Sequence, residues 1–346
     1  MPSDLRIRRV GFRHGSIEDI TAMHQVESEV DTERRPRREP QPLASYISFA
    51  HNLPSHFRDH TWLVEDAAGY PVASGACWSN AAGDQRVMEC DLYVRAGWRR
   101  RGIGSQLMKV ICEASETEGQ SLLVWRTYDT VTAAEAFSRW IGGSIARDNR
   151  NSETRLSDID WELVDRWVQD GKKLTDDYAI IFVEGVYPTD LVPDAVALHQ
   201  IMQTQPKDDL DTEDVHLSAD DIAEHDRALL VAGRQRWSVF IRDKTGTSVG
   251  GTVMTFEPWD PTIALQENTG IDPEHRGRGL AKWVKALMLD KVRTDLPMVE
   301  RVETGNAFSN APMLAINDAL GFKVTETRTE WLGEVPVVRA HLEAAE

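Results

Sequence analysis

The sequence predicts two mixed α/β domains of one kind in tandem, each a mainly antiparallel twisted sheet flanked by helices. Three observations carry that expectation. The 346 residues are two domains' worth of chain at about 100–200 residues per domain. The halves match in order at nearly one spacing. Ala22-Met23-His24-Gln25-Val26 returns as Ala197-Leu198-His199-Gln200-Ile201, and Trp62 returns as Trp237. Asp66, Gly69, Val72, Val94, Arg99, Gly102 and Ile103 return as Asp243, Gly246, Val249, Ile271, Arg276, Gly279 and Leu280, 177 residues on. Finally, strand and helix periodicities alternate in the same order in both halves.

In the first half Leu5 to Val10 alternates like a strand, and Ile17 to Val26 puts Ile20, Met23 and His24 on one helical face. Trp62 to Glu65 and Val72 to Trp78 flank a turn at Ala67-Ala68-Gly69, the pattern of a hairpin. Val87 to Val94 reads as a strand, Gly102 to Ala114 as a helix, Ser121 to Thr127 as a strand and Thr132 to Trp140 as a helix. The second half repeats this with strand Ala179 to Val183, helix Asp194 to Gln203 and a Trp237 to Met254 hairpin turning at Lys244-Thr245-Gly246. Strand Ile263 to Ile271, helix Gly279 to Val292, strand Val299 to Thr304 and helix Ala311 to Ala319 complete it. Between the halves, Trp161, Leu163, Val164 and Trp167 fall at helical spacing, so a connecting helix should pack on one domain. The expected boundaries are 1–157, a connector over 158–177, and 178–346.

Hydrophobic residues at 41% and charged residues at 27% make an ordinary globular balance. With 56 acids against 39 bases the formal charge is −17, which would repel the backbone of nucleic acid. Cys77, Cys90 and Cys112 lie in apolar stretches and suit buried free thiols in a reducing, cytosolic compartment. The first ten residues hold no apolar run, and nothing approaches a membrane span of about 18 apolar residues. No H-E-x-x-H or paired C-x-x-C indicates a metal.

In each half a strand runs into a short basic turn with glycines and then into an amphipathic helix. These are Val94-Arg95-Ala96-Gly97-Trp98-Arg99-Arg100-Arg101-Gly102-Ile103-Gly104 and Ile271-Asp272-Pro273-Glu274-His275-Arg276-Gly277-Arg278-Gly279-Leu280-Ala281. Glycine and alanine let phosphate oxygens approach the main chain, and the unpaired NH groups of a helix start favour an anion. The arginines offer charge-assisted bonds. A diphosphate suits such a turn. Neither G-x-x-x-x-G-K-[ST] nor G-x-G-x-x-G is present, but R-x-x-G-x-[GA] is, twice, at Arg99, Gly102, Gly104 and at Arg276, Gly279, Ala281.

On this pattern the chain resembles the GNAT superfamily of acetyl-CoA-dependent N-acyltransferases over essentially its whole length. The resemblance implies that acetyl-CoA is the cofactor, and that the two turns bind its diphosphate and pantetheine. It also implies that Val94 or Ile271 lies beside the reacting carbonyl. The family's next motif, a strand followed by an Asn-bearing helix, looks complete in the second half from Thr304 to Met313 and on to Asn317 and Leu320-Gly321-Phe322. There Asn306 is a candidate for a polar contact in the site. Asn310 could cap the helix or touch the cofactor. The first half departs, with Asp129 for Asn306 and Ile141-Gly142-Gly143 for the Leu-Gly-Phe. Where many relatives have a tyrosine that protonates the leaving thiolate, this chain has Asn317 and Ser138.

Acyl transfer to an amine needs a base for the amine's proton. Strand alternation puts Glu267, Thr269 and Ile271 on one face and Gln266 on the other, making Glu267 the candidate base; Glu89 and Asp91 lie off Val94's face. His275 could serve as a base or meet a phosphate. The carboxylates between Lys207 and Asp226, Asp211 among them, could form an acidic acceptor wall in the second half, with the basic loop Arg34 to Arg38 in the corresponding place in the first. The expectation is therefore an acetyl-CoA-dependent N-acetyltransferase of a small-molecule amine, with its chemistry mainly in the second half. The alternatives are chemistry in the first half, or a weakly catalytic coenzyme A binder used in sensing or assembly.

Overall fold

The computed structural model describes residues 4–209 and 212–344. The chain forms two compact units, and neither is a continuous stretch. The N-terminal unit takes Met1–Asp148, Asp208–Asp214 and Thr327–Glu346; the C-terminal unit takes Asn149–Lys207 and Val215–Glu326.

The N-terminal unit contains β1 (Arg6–Val10), α1 (Ile17–Arg34), α2 (Leu43–His51), β2 (Phe57–Glu65), β3 (Pro71–Asn80), β4 (Val87–Val94), α3 (Ile103–Glu118), β5 (Leu122–Tyr128) and α4 (Thr132–Trp140). Ser16 starts α1 by accepting from the Asp19 N–H at 3.1 Å. After α4 the chain enters β6 (Ser144–Arg155), and from Asn149 onward that strand lies in the C-terminal unit, antiparallel to β11 (Arg301–Ala307). That unit also holds α5 (Trp161–Lys172), β7 (Tyr178–Glu184), α6 (Val192–Gln203), α7 (Ala219–Val231), β8 (Gln235–Asp243), β9 (Ser248–Phe256), β10 (Ile263–Ile271), α8 (Leu280–Asp295) and α9 (Ala311–Ala319). Last come β12 (Lys323–Glu334) and α10 (Val335–Glu343); from Thr327 on, they belong to the N-terminal unit, where β12 pairs antiparallel with β5.

Each half thus gives its final strand to the other half's sheet. Strand order is β1-β2-β3-β4-β5-β12 in the N-terminal unit and β7-β8-β9-β10-β11-β6 in the C-terminal one. In each, among the described residues, a parallel pairing joins the strand before the glycine turn to the strand after the next helix, β4 with β5 and β10 with β11. The expected boundaries at 157 and 178 differ from these units because β6 and β12 cross over. Their sequences, SIARDNRNSETR and KVTETRTEWLGE, are too polar for alternation to reveal them. The connecting helix is α5, which packs in the C-terminal core through Val164 and Trp167, with Trp283 of α8 tight against Gly171.

The N-terminal core joins Trp62, Val64, Val72, Met88 and Cys90 of the sheet to Leu107, Met108 and Ile111 of α3, and to Trp331, Val335, Val338 and Leu342 of the exchanged tail. The cysteines are free and buried as expected, and burial pushes the Cys77 and Cys112 thiols up to about 12. Among the described residues no helix is long and apolar enough to cross a membrane.

Candidate active sites

Both glycine turns have the same construction. Gly102 and Gly279 take left-handed φ values of 78° and 85° at the starts of α3 and α8. A Cβ added at either would meet nothing within 4 Å, so it is backbone conformation that favours glycine there, and the space over the turn is open. Neither helix has a side-chain cap or an acid in its first turn, which leaves its first N–H groups for an anion. Gly277 has φ 76°, and in the N-terminal unit Arg100 takes the same conformation at φ 63°.

The motif arginines build the turns rather than reaching outward. Arg99 Nε donates to Val94 O at 3.0 Å, and Arg276 Nε donates to Ile271 O at 2.9 Å. Each guanidinium is then engaged again, Arg99 by Glu33 and Arg276 by the Thr204 hydroxyl at 2.5 Å. Arg101 donates to Gly97 O at 3.0 Å, and Arg278 to Glu274 O at 3.3 Å and the Tyr178 hydroxyl at 2.8 Å. Arg99 and Arg276 thus tie each turn back to the end of the strand before it. His275, the alternative base, lies 3.0 Å from the Tyr178 hydroxyl through Nδ1.

In the N-terminal unit β4 and β5 pair only from Val87↔Leu122 to Cys90↔Trp125 and then part. A cavity of about 440 Å³ occupies the opening. Arg99, Arg100, Gly102, Ile103 and Gly104 line it at the turn, Leu92 and Val94 along β4, and Val131, Phe137 and Trp140 toward α4. Val30 and Arg34 of α1 close it. Arg34 was expected in a loop; it is the last residue of α1, donates to Leu92 O at 2.8 Å and lies 4.1 Å over the Tyr93 ring. Leu92 and Val94 pack with the α3 core, whereas Asp91 and Tyr93 fall on the α1 face with Arg34.

On that face lie groups that the sequence did not single out. Glu27 stands one turn before Asp31 and two before Arg34 on α1, and it accepts from the Tyr46 hydroxyl at 2.6 Å and the Ser74 hydroxyl at 3.0 Å. Burial pushes its carboxyl up to about 7 against those two donors. Burial likewise raises Asp91, opposed by Arg34 and Arg126. The helical i, i+4, i+7 spacing of Glu27, Asp31 and Arg34 was the available signal; the hidden part was α2, which brings Tyr46. A folded-state value above the unfolded one means that stability is complete below about pH 4.5 and falls as pH rises toward 7. Glu27→Gln should therefore gain stability over wild type as pH goes from 5 to 8, by up to about 3 kcal/mol, measured as chemical denaturation midpoints at both pH values.

In the C-terminal unit β10 and β11 pair from Ile263↔Arg301 to Gln266↔Thr304, and β10 is bulged between Gln266 and Thr269. The bulge corrects the face assignment. Gln266 Nε2 donates to Thr252 Oγ1 at 2.9 Å, and the Thr252 and Thr269 hydroxyls lie 2.7 Å apart, so Gln266 and Thr269 share a side. Glu267 is exposed, its carboxylate accepting from the Thr255 hydroxyl at 3.0 Å. It does not share Ile271's face by simple alternation.

Asn310 caps α9, accepting from the Met313 N–H at 3.4 Å, and its Nδ2 donates to Gln205 at 3.1 Å. Asn306 Oδ1 accepts from Asn317 Nδ2 at 2.7 Å, and Asn317 Oδ1 accepts from Lys285 Nζ at 2.8 Å. Ser138 is equally enclosed, accepting from Trp125 Nε1 at 2.8 Å and donating to Ala134 O at 2.9 Å. Neither residue stands ready to protonate a thiolate.

The acidic run does not form a continuous wall. Asp208, Asp209, Glu213 and Asp214 belong to the N-terminal unit, Asp221 closes the capping box of α7 with Ser218, and Asp226 is buried against Arg236 at 2.5 Å. Asp211 lies outside the described residues. Among the described residues no group of His, Cys, Asp or Glu could hold a metal ion.

Residues 21–142 match the acetyltransferase (GNAT) family, a span that holds most of α1, the Arg99 turn and α4. A tandem GNAT protein from the clavulanic acid biosynthesis pathway, solved without acetyl-CoA, superposes with a TM-score of 0.75 at 20% identity, over 96% of this chain and 99% of that one. The chain has the fold of a tandem GNAT protein, and its residues 21–142 match the GNAT family. A GCN5-related N-acetyltransferase from Sphaerobacter thermophilus resembles this chain at TM-score 0.63 and 13% identity, over 97% of both chains. A glucosamine N-acetyltransferase region of a fungal multi-domain β-N-acetylglucosaminidase does so at 0.64 and 12%, over 96% of this chain and 38% of that one. No curated protein sequence matches this chain.

Proposed function

We propose that the protein is an acetyl-CoA-dependent N-acetyltransferase of a small-molecule amine, with its chemistry in the N-terminal unit. The observation that carries this reading is the cavity from the Gly102 turn to Arg34, which enters the parting of β4 and β5 and ends at the α1 face. The open space over Gly102 and the uncapped start of α3 fit a diphosphate; Leu92, Val94 and Phe137 fit an aliphatic arm. Acetyl-CoA would supply the acyl thioester. On the α1 face Asp91 takes the proton from the attacking amine, and Arg34 positions the strand by its bond to Leu92 O. Glu27, held by Tyr46 and Ser74, adds negative charge as it ionises with pH rising through about 7, and so favours a cationic amine entering the cleft there. Two solved neighbours described as N-acetyltransferases, one of them acting on glucosamine, support an amine acceptor.

A second reading places chemistry in the C-terminal unit with Glu267 as base, favoured by the end of β10–β11 pairing at Gln266↔Thr304 and by the adjoining β10 bulge that turns Glu267 outward. A thiol-release assay with acetyl-CoA and a panel of small amines tests the proposal. Turnover on at least one amine is expected; tight cofactor binding with no turnover on any would favour a sensor.

A further inference from the structure

Among the described residues, no carboxylate balances Lys285. It lies on α8, six residues after Gly279, with 1% of its surface exposed. Its ammonium touches Asn317 Oδ1 at 2.8 Å and Met313 Sδ at 4.0 Å, with the Phe322 ring 5.7 Å away. Asn317, itself 3% exposed, passes the interaction on to Asn306 Oδ1 at 2.7 Å. Asn306 lies on β11 beyond Gln266↔Thr304, the last β10–β11 pair, so the chain of bonds ends where those strands part. Among the described residues nothing accepts from Asn306 Nδ2.

An ammonium only donates. Asn317 must therefore turn its oxygen to Lys285 and its NH2 to Asn306, and Asn306 in turn is left with its own NH2 free. We infer that Lys285 is a positioning residue that fixes Asn306 as a hydrogen-bond donor to a carbonyl-bearing ligand, such as the amides of an acyl-pantetheine arm, in the C-terminal unit. This rests on the reading that the fold takes an acyl-CoA. A neutral amine can also accept, and then the whole chain can reverse and present Asn306 Oδ1 instead. Burial pulls Lys285 down to about 7, with no charged neighbour contributing to the shift; the groups facing it are Met313 and Asn317 of α9, and Phe322. Donor presentation is thus lost as pH rises through about 7.

The test is acetyl-CoA titration of the Gly102→Glu chain, which removes the N-terminal site, at pH 6 and pH 8.5. Affinity should fall roughly tenfold between them, the scale of one hydrogen bond. Adding Lys285→Met should give weak binding with no such pH dependence. Adding Asn317→Asp keeps Lys285 paired yet makes Asn306 donate inward, so it should weaken binding roughly tenfold in a chain of unchanged circular dichroism. Equal affinity and pH slope in Lys285→Met overturns the inference. So does a Gly102→Glu chain that binds nothing while wild type binds one equivalent, a result that leaves the N-terminal reading standing. No binding by wild type at either pH would end both.

Discussion

A fragment ending at residue 157, where sequence alone would place the domain boundary, is expected not to fold. It lacks residues 327–346, which supply the sixth strand of the N-terminal sheet. Trp331, Val335, Val338 and Leu342 are all 1% exposed or less in that unit's core. At about 1.5–3 kcal/mol for each fully buried large apolar side chain, their loss removes roughly 6–12 kcal/mol, comparable with the whole stability of a domain. Glu330 would go too. It is 2% exposed and ion-paired to Arg147 at 2.6 Å and Arg126 at 3.4 Å, so its removal leaves two partly buried cations short of a partner. Circular dichroism and thermal melting of the fragment should show a chain without a cooperative transition. A cooperative fold matching the N-terminal unit's share of the intact protein would show that β12 and α10 are dispensable.

The second large effect concerns the base. Asp91→Asn is expected to lower turnover on a good amine by about 10²-fold or more, while acetyl-CoA affinity changes little, because the side chain lies on the α1 face away from Leu92 and Val94. Its carboxyl is raised by burial, so wild-type turnover should climb with pH as Asp91 ionises, and this limb should vanish in the variant. Glu267→Gln should leave turnover within a few-fold of wild type. The reverse pattern, normal turnover in Asp91→Asn with the loss in Glu267→Gln, would move the chemistry to the C-terminal unit.

Local pattern made much of this architecture legible. Thr132–Trp140, Ile263–Ile271 and Ala311–Ala319 are found as read from their periodicity, and the two glycine turns could be placed because strand, turn and helix signals adjoin. What escaped was non-local. Polar β6 and β12 are strands only because of their partners in the other half's sheet, and Glu27 becomes a raised carboxyl only when α2 brings Tyr46 against it. The β10 bulge reverses the relation between Glu267 and Ile271 with no glycine or proline between Gln266 and Thr269 to announce it. Lys285 reads as an ordinary helix lysine until α9 covers it.

Isothermal titration of acetyl-CoA into wild type, Gly102→Ala and Gly102→Glu tests directly whether the N-terminal turn holds the cofactor. A Cβ at Gly102 meets open space, so Gly102→Ala should incur only the strain of φ 78°, about 1–2 kcal/mol of stability, and still bind. Gly102→Glu places a carboxylate over the start of α3 and should abolish binding to the N-terminal unit together with turnover. Unchanged stoichiometry, affinity and turnover in Gly102→Glu would show that the N-terminal turn does not bind the cofactor.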